Sequence, residues 1–183
     1  MEIQVKKGKY FQEKGDVLIF PVYEEEIRSG DLKLLDRQNH GKISEILDSG
    51  EFRGKRNQTV ALHALAGLKA RKILLVGLGP VKKGELDTIR EAFGKAACRA
   101  RAMGAVTIVS GIRQELVKKE KLRDIAQAMT EGVMLGLYRF TLYKTEQEEE
   151  PQEIRTWVLA IEDGKKAGDV EKGVLVGKIV SEG

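Results

Sequence analysis

Apolar side chains recur along this chain with two periods, and the switches between them predict its elements. Ile3 and Val5 alternate with Gln4 and Lys6, the pattern of a short half-buried strand. Val17-Leu18-Ile19-Phe20-Pro21-Val22 predicts a second strand, and Pro21, which has no N–H to give a ladder, puts its end at a sheet edge or a bend. Between Asp31 and Phe52, Leu32, Leu34, Leu35, Ile43, Ile46 and Leu47 recur at near-helical spacing broken by Asn39-His40-Gly41, which predicts two short helices joined by a turn. Gln58-Thr59-Val60-Ala61-Leu62-His63-Ala64 alternates and is β-branched, a strand pattern. Ile73-Leu74-Leu75-Val76, opened by Arg71-Lys72 and closed by Gly77-Leu78-Gly79-Pro80, is an uninterrupted apolar run that predicts a strand covered on both faces, the central one of a sheet.

Connection lengths then set directions. Only residues 65–71 separate Ala64 from the strand at Lys72, whereas a parallel crossover needs about a dozen or more, so these two strands pair antiparallel if they are neighbours and the sheet is mixed. Thr88 with Glu91 predicts a capping box opening a helix whose apolar stripe is Ile89, Ala92, Phe93, Ala96, Ala97, Ala100 and Met103. Gly104 ends it and Ala105-Val106-Thr107-Ile108-Val109 is a strand, so Ile73 to Val109 has the length of a right-handed parallel crossover. Leu122, Ile125, Ala126, Met129, Val133 and Leu137 lie on one face of a second long helix that fades at Tyr138. The acidic run Glu146 to Glu150, followed by Pro151, predicts a solvated, disordered loop. Trp157-Val158-Leu159-Ala160-Ile161 is the last strand and Asp169 to Val180 the last helix. At about 100° per residue its Val170, Val174, Leu175, Val176, Ile179 and Val180 fall all round the axis, so one flank is expected to pack on a neighbouring copy or fray. Strands alternating with helices argue an α/β fold, a three-layer α/β/α arrangement with a mixed central sheet.

Length and composition agree with one domain spanning residues 1–183. The 183 residues are 42% hydrophobic, enough for a sizeable core in one ordinary domain. The net charge of +4 comes from basic and acidic residues that are interspersed rather than segregated, so nucleic-acid binding is not implied. No stretch approaches the roughly 20 apolar residues of a membrane span, and the lone Cys98 allows no internal disulfide, which together point to the cytoplasm.

Candidate chemistry is sparse. The histidines are His40 in a turn and His63 on a strand, with no HExxH or CxxC pattern, so no metal site is legible. Cys98 lies beside the apolar face of its helix as a half-buried, inert thiol, and none of Ser29, Ser44, Ser49, Ser110 or Ser181 sits in a Gly-x-Ser-x-Gly elbow. Gly77-Leu78-Gly79-Pro80-Val81-Lys82-Lys83-Gly84 lacks the Gly-Lys-Ser/Thr ending of a Walker loop, and Lys82 stands where a dinucleotide fingerprint needs its third glycine. The loop is left as a candidate anion-binding element, with the amides around Gly77, Gly79 and Gly84 and the ammonium groups of Lys82 and Lys83 facing a phosphate; the alternative is a tight turn out of a strand.

Several pieces in order carry a resemblance: Phe52-Arg53-Gly54-Lys55, Leu68-Lys69-Ala70-Arg71 leading into Ile73 to Gly79, Glu131-Gly132, Leu135-Gly136-Leu137-Tyr138-Arg139-Phe140, and Tyr143-Lys144-Thr145. The chain resembles, over nearly its whole length, the N-terminal domain of the leucyl aminopeptidase family. The resemblance implies a macro-domain-like fold attached to a catalytic half that holds two divalent metals, Zn or Mn, and removes N-terminal residues from peptides, usually as a hexamer. The family's metal ligands and catalytic lysine and arginine belong to motifs in that other half, resembling Asn-Thr-Asp-Ala-Glu-Gly-Arg, and no such motif occurs here. No catalytic residue is therefore carried over. The expected role is non-catalytic, in assembly and in access to the active site of the whole enzyme, with this chain's own catalytic domain as partner and the catalytic half absent. The alternative is a free-standing macro-type module that binds ADP-ribose or a nucleotide at the Gly77 to Gly84 loop.

Overall fold

The computed structural model describes residues 1–63, 65–113, 116, 119–138 and 152–182. Its strands are β1 (Glu2–Lys7), β2 (Gly15–Val22), β3 (Thr59–His63), β4 (Ala70–Gly77), β5 (Thr107–Gly111) and β6 (Thr156–Ile161). Its helices are α1 (Gly30–Gln38), α2 (Lys42–Ser49), α3 (Leu86–Ala102), α4 (Leu122–Leu137) and α5 (Ala167–Glu182). The strands form one sheet in the order β1-β6-β5-β2-β4-β3, parallel except for β3, which runs antiparallel to β4.

The strict alternation of side chains sorts two cores onto the two faces. Val17, Ile19, Leu74, Val76, Ile108 and Trp157 face the layer of α3, α4 and α5. Leu18, Phe20, Ile73, Leu75, Val109 and Val158 face α1 and α2. The expected three-layer arrangement is thus present, with a mixed sheet.

Three local expectations are corrected. The Ile73 to Val76 strand is fully buried, but β3 lies outside it, so it is second from the edge and β5 and β2 hold the middle. Pro21 is in an interior strand rather than an edge strand: the β2–β5 pairing ends at Ile19↔Ser110, so the missing N–H falls where that ladder has stopped. β4 and β5 run parallel and are joined through α3, as the length of the crossover predicts, with β2 lying between them in the sheet. Thr88 is not a cap, since α3 starts earlier and Thr88 Oγ1 donates to Lys83 O at 3.2 Å, while Glu91 pairs with Arg56 across the loop at 2.9 Å.

The helical layer packs through small residues, and this accounts for Glu131-Gly132 and Gly136. A Cβ at Gly132 would lie 3.0 Å from the carbonyl carbon of Arg90 and nearer still to its oxygen, so α3 and α4 approach almost backbone to backbone. Beside that crossing the buried Glu131 receives Arg90 Nε at 2.6 Å and Gln127 Nε2 at 2.7 Å. On α5, Val170, Gly173, Val174 and Gly177 face inward, while Leu175, Ile179 and Val180 are 59%, 62% and 59% exposed. The apolar surround read from the sequence is therefore half satisfied by this fold. The acidic run from Glu146 to Pro151 lies outside the described residues.

Candidate functional site

The residues of the Gly77 to Gly84 loop are held by two neighbouring segments. Gly77 ends β4 opposite Val22 of β2. Its N–H donates to Gln58 O at 2.8 Å and its carbonyl accepts from Asn57 N at 2.9 Å. Leu78 N donates to Val22 O at 2.9 Å, and Gly79, at φ 76°, gives its N–H to Gly54 O at 2.9 Å and accepts Glu24 N at 3.1 Å. Only a residue free to take a left-handed conformation makes both of these bonds without strain at position 79. Gly77 is required for a different reason, since a Cβ there would fall 2.5 Å from the Gly54 carbonyl and closer to Lys55 O. Phe52, fully buried in the core that faces α1 and α2, anchors the Gly54 segment. The resemblance pieces Phe52 to Lys55 and Ile73 to Gly79 are thus two halves of one packed unit.

Beyond Pro80, the residues Val81–Lys83 make a short 3-10 turn leading into α3. Val81 N donates to a carboxylate of the chain itself, Glu25 Oε2, at 3.0 Å. Lys83 N and Gly84 N donate to Pro80 O and Val81 O, each at 3.0 Å. Lys82 and Lys83 are exposed. The loop therefore brings the five candidate residues together, while the amides of Gly77, Gly79, Val81, Lys83 and Gly84 already have acceptors. The role of Glu25 carries no sequence signal, since it depends on the β2 and β4 ends lying side by side.

A cavity of about 840 Å³ opens beside this loop, at the ends of β2, β4 and β5. Its wall includes Tyr23, Lys82, Gly84, Arg90, Leu116 and Lys119. Such crevices beyond the carboxyl ends of parallel strands are the usual ligand positions in α/β sheets. Tyr23 is buried and its hydroxyl donates to Leu116 O, and the absence of a side chain at Gly84 leaves room for that hydroxyl. Burial, with the nearby charges of Glu26 and Glu25, pushes the Tyr23 phenol up to about 12. Arg90 is committed to Asp87 and Glu131. Tyr23, Arg90 and Leu116 had no sequence signal, because each reaches the cavity from a different element.

The remaining candidates lie apart. His40 and His63 are both exposed, the first in the α1–α2 turn and the second at the end of the edge strand β3. Cys98 is half-buried and its thiol donates to Gly136 O at 2.8 Å, a structural contact across the α3–α4 crossing. Among the described residues no three His, Cys, Asp or Glu side chains converge, so these residues do not fit a divalent metal pair. Among the same residues no helix is long and apolar enough to cross a membrane.

Comparison with known proteins places this geometry. Residues 19–147 match the model of the cytosol aminopeptidase family, N-terminal domain. A probable cytosol aminopeptidase of Alkaliphilus oremlandii is 32% identical over 191 residues, an alignment covering 100% of this chain and 37% of that protein. One from Chromobacterium violaceum is 29% identical, covering 100% of this chain and 35% of its own. The chain thus spans little more than a third of the length of the curated relatives it matches. Among solved structures, a tomato leucine aminopeptidase mutant superposes with a TM-score of 0.76 at 21% identity, covering 100% of this chain and 36% of that one. A Trypanosoma brucei macrodomain superposes with a TM-score of 0.69 at 16% identity, covering 94% of this chain and 67% of that one, so the fold is shared with macrodomains. With the family model covering residues 19–147, well over half its length, this chain belongs to the cytosol aminopeptidase family and corresponds to its N-terminal domain.

Proposed function

We propose that residues 1–183 act as one non-catalytic domain of a cytoplasmic metallo-aminopeptidase, serving its assembly and shaping access to an active site built elsewhere. The observation that carries this reading is the alignment of the entire chain with just over a third of cytosol aminopeptidases. In this reading the two divalent metals, Zn or Mn, and the peptide-cleaving groups belong to a catalytic domain that is this domain's covalent partner, and the whole enzyme is a homo-oligomer, a hexamer by the family resemblance. The test is turnover of a leucyl chromogenic substrate by the pure chain with added Mn²⁺ or Zn²⁺. No turnover is expected, and activity abolished by a chelator would overturn the reading.

A second reading is favoured by the cavity beside Lys82. A macro-type module would hold an anionic ligand there, and a Trypanosoma brucei macrodomain of the same fold has been solved with ADP-ribose. For the loop of Gly77, Gly79, Lys82, Lys83 and Gly84 to take a phosphate, the Glu25 carboxylate must leave Val81 N, which opposes binding. ADP-ribose and mononucleotides are therefore expected to bind no tighter than millimolar. A calorimetric affinity in the micromolar range would reverse the order of the two readings.

A further inference from the structure

At the end of the sheet away from the Gly77 to Gly84 loop, the fold gathers cations that lie far apart in the sequence. In register, Asp16 lies beside Arg71, between the pairs Gly15↔Ala70 and Val17↔Lys72, and beside Thr107, one step before the pair Val17↔Ile108. Alternation puts Asp16, Arg71 and Thr107 on the face that carries Leu18, Ile73 and Val109, one row beyond that core. Lys14 and Lys69 continue the same face just ahead of β2 and β4. With Gly15, these residues line a depression of about 530 Å³.

The side chains of this depression are nearly all donors without acceptors. Among the described residues Lys14 and Lys69 have no ion-pair partner and Thr107 Oγ1 has no hydrogen-bond partner, while Arg71, 82% exposed, reaches only Asp16 at 3.7 Å. Asp16 is already committed, because its Oδ2 accepts Val106 N and Thr107 N, each at 2.9 Å. The adjacent Glu13 is turned to Lys6. Cations crowded against one committed carboxylate repel one another, and a bound anion relieves that repulsion. We propose that this depression is a binding site for a small polyanion carrying three or more negative charges on phosphate or carboxylate groups. Lys14, Lys69 and Arg71 pair with those charges, Arg71 through the fork of its guanidinium, and Thr107 Oγ1 adds a neutral donor. Cations gathered in one depression, rather than drawn out in a stripe, suit a small ion and not a nucleic-acid backbone. The proposal goes beyond both readings above and needs neither, since its residues belong to neither site.

The experiment is an amide chemical-shift titration of the isotope-labelled 183-residue chain with tripolyphosphate and, separately, with citrate, in about 50 mM salt so that screening is modest. The largest shifts are expected at residues 14–16, 69–71 and 106–107. Half-saturation is expected on the order of 0.3 mM for the better anion, because exposed charge pairs each contribute little. Tighter binding of tripolyphosphate assigns the ligand to the phosphates, and tighter binding of citrate to the carboxylates. ADP-ribose, with fewer charges, stays in the millimolar range. Arg71→Glu and Lys69→Glu, at exposed positions where the fold is not at stake, are each expected to weaken binding about tenfold. Lys165→Glu makes the same change in net charge on an exposed residue past the far end of β6, and is expected to move the affinity by less than about twofold. Shifts centred on the Gly77 to Gly84 loop, a loss on Lys165→Glu as large as on Arg71→Glu, or no half-saturation below about 10 mM with either anion would overturn the proposal.

Discussion

Replacing Gly77 by alanine puts one methyl group where the backbone of residues 54–58 passes. The added carbon would sit 2.5 Å from the Gly54 carbonyl and closer to Lys55 O, against about 3.0 Å for the tightest contacts such carbons make. Either β4 or the loop must retreat by at least about 0.5 Å, and overpacking of this kind costs about 1–3 kcal/mol. The same retreat strains the bonds Gly77 N to Gln58 O, Asn57 N to Gly77 O and Gly79 N to Gly54 O. Losing one of them adds about 1 kcal/mol, for a total of about 2–4 kcal/mol. In a chain of this length that corresponds to a fall of roughly 4–16 °C in Tm. Urea and thermal unfolding followed by circular dichroism measure it. Gly168→Ala is the control, because nothing lies within 4 Å of a Cβ there, and helix propensity should raise stability by up to about 1 kcal/mol. A Tm for Gly77→Ala within about 1 °C of the parent would refute the reasoning, since the loop would then yield without loss. Space and not dihedral strain sets this cost, because Gly77, unlike Gly79, has no positive φ.

Asp36 accepts Ile43 N at 2.8 Å, Ser44 N at 3.0 Å and Ser44 Oγ at 2.6 Å, so Asp36→Ala is expected to cost about 1–2 kcal/mol in urea unfolding by uncapping α2. Burial raises the Asp36 pKa, but the bonds from Ser44 and Ile43 and the Arg28 charge outweigh it and leave the carboxyl below its usual range. A depressed pKa gives stability that is present above the unfolded value near 4 and is lost as pH falls through the folded value, so the gap between parent and Asp36→Ala should close in acid. Tyr23, pushed up to about 12, works in the opposite sense. Its contribution is complete below the unfolded value near 10 and is lost as pH rises toward 12, so Tyr23→Phe should blunt the alkaline decline in Tm; an identical alkaline profile would count against the burial argument. Arg90→Ala leaves Glu131 buried with only Gln127 as partner and should destabilise by about 3 kcal/mol, whereas a loss below about 1 kcal/mol would mean that solvent replaces the guanidinium.

Local physics was legible where periodicity is set by the immediate neighbours. The alternation around Ile3 and Val5, the broken helix around Asn39-His40-Gly41 and the unbroken run Ile73 to Val76 each state in their own residues how many faces are covered, and the elements appear where these patterns end. The short link over residues 65–71 likewise determined the antiparallel β3–β4 pair, because chain length alone forbids the other direction. The exposed flank of α5 followed from too many apolar residues around one axis for one neighbour to bury. What lay beyond the sequence were relations between segments distant along the chain. β2 inserts between β4 and β5, α3 begins ahead of Thr88, and Glu25 reaches Val81 N, none of which any local window encodes. The cavity beside Lys82 is of the same kind: Tyr23, Arg90 and Leu116 become neighbours only when three strands end side by side. Periodicity records whether a side chain is buried, whereas a site depends on which other side chain it meets, and only tertiary packing sets that.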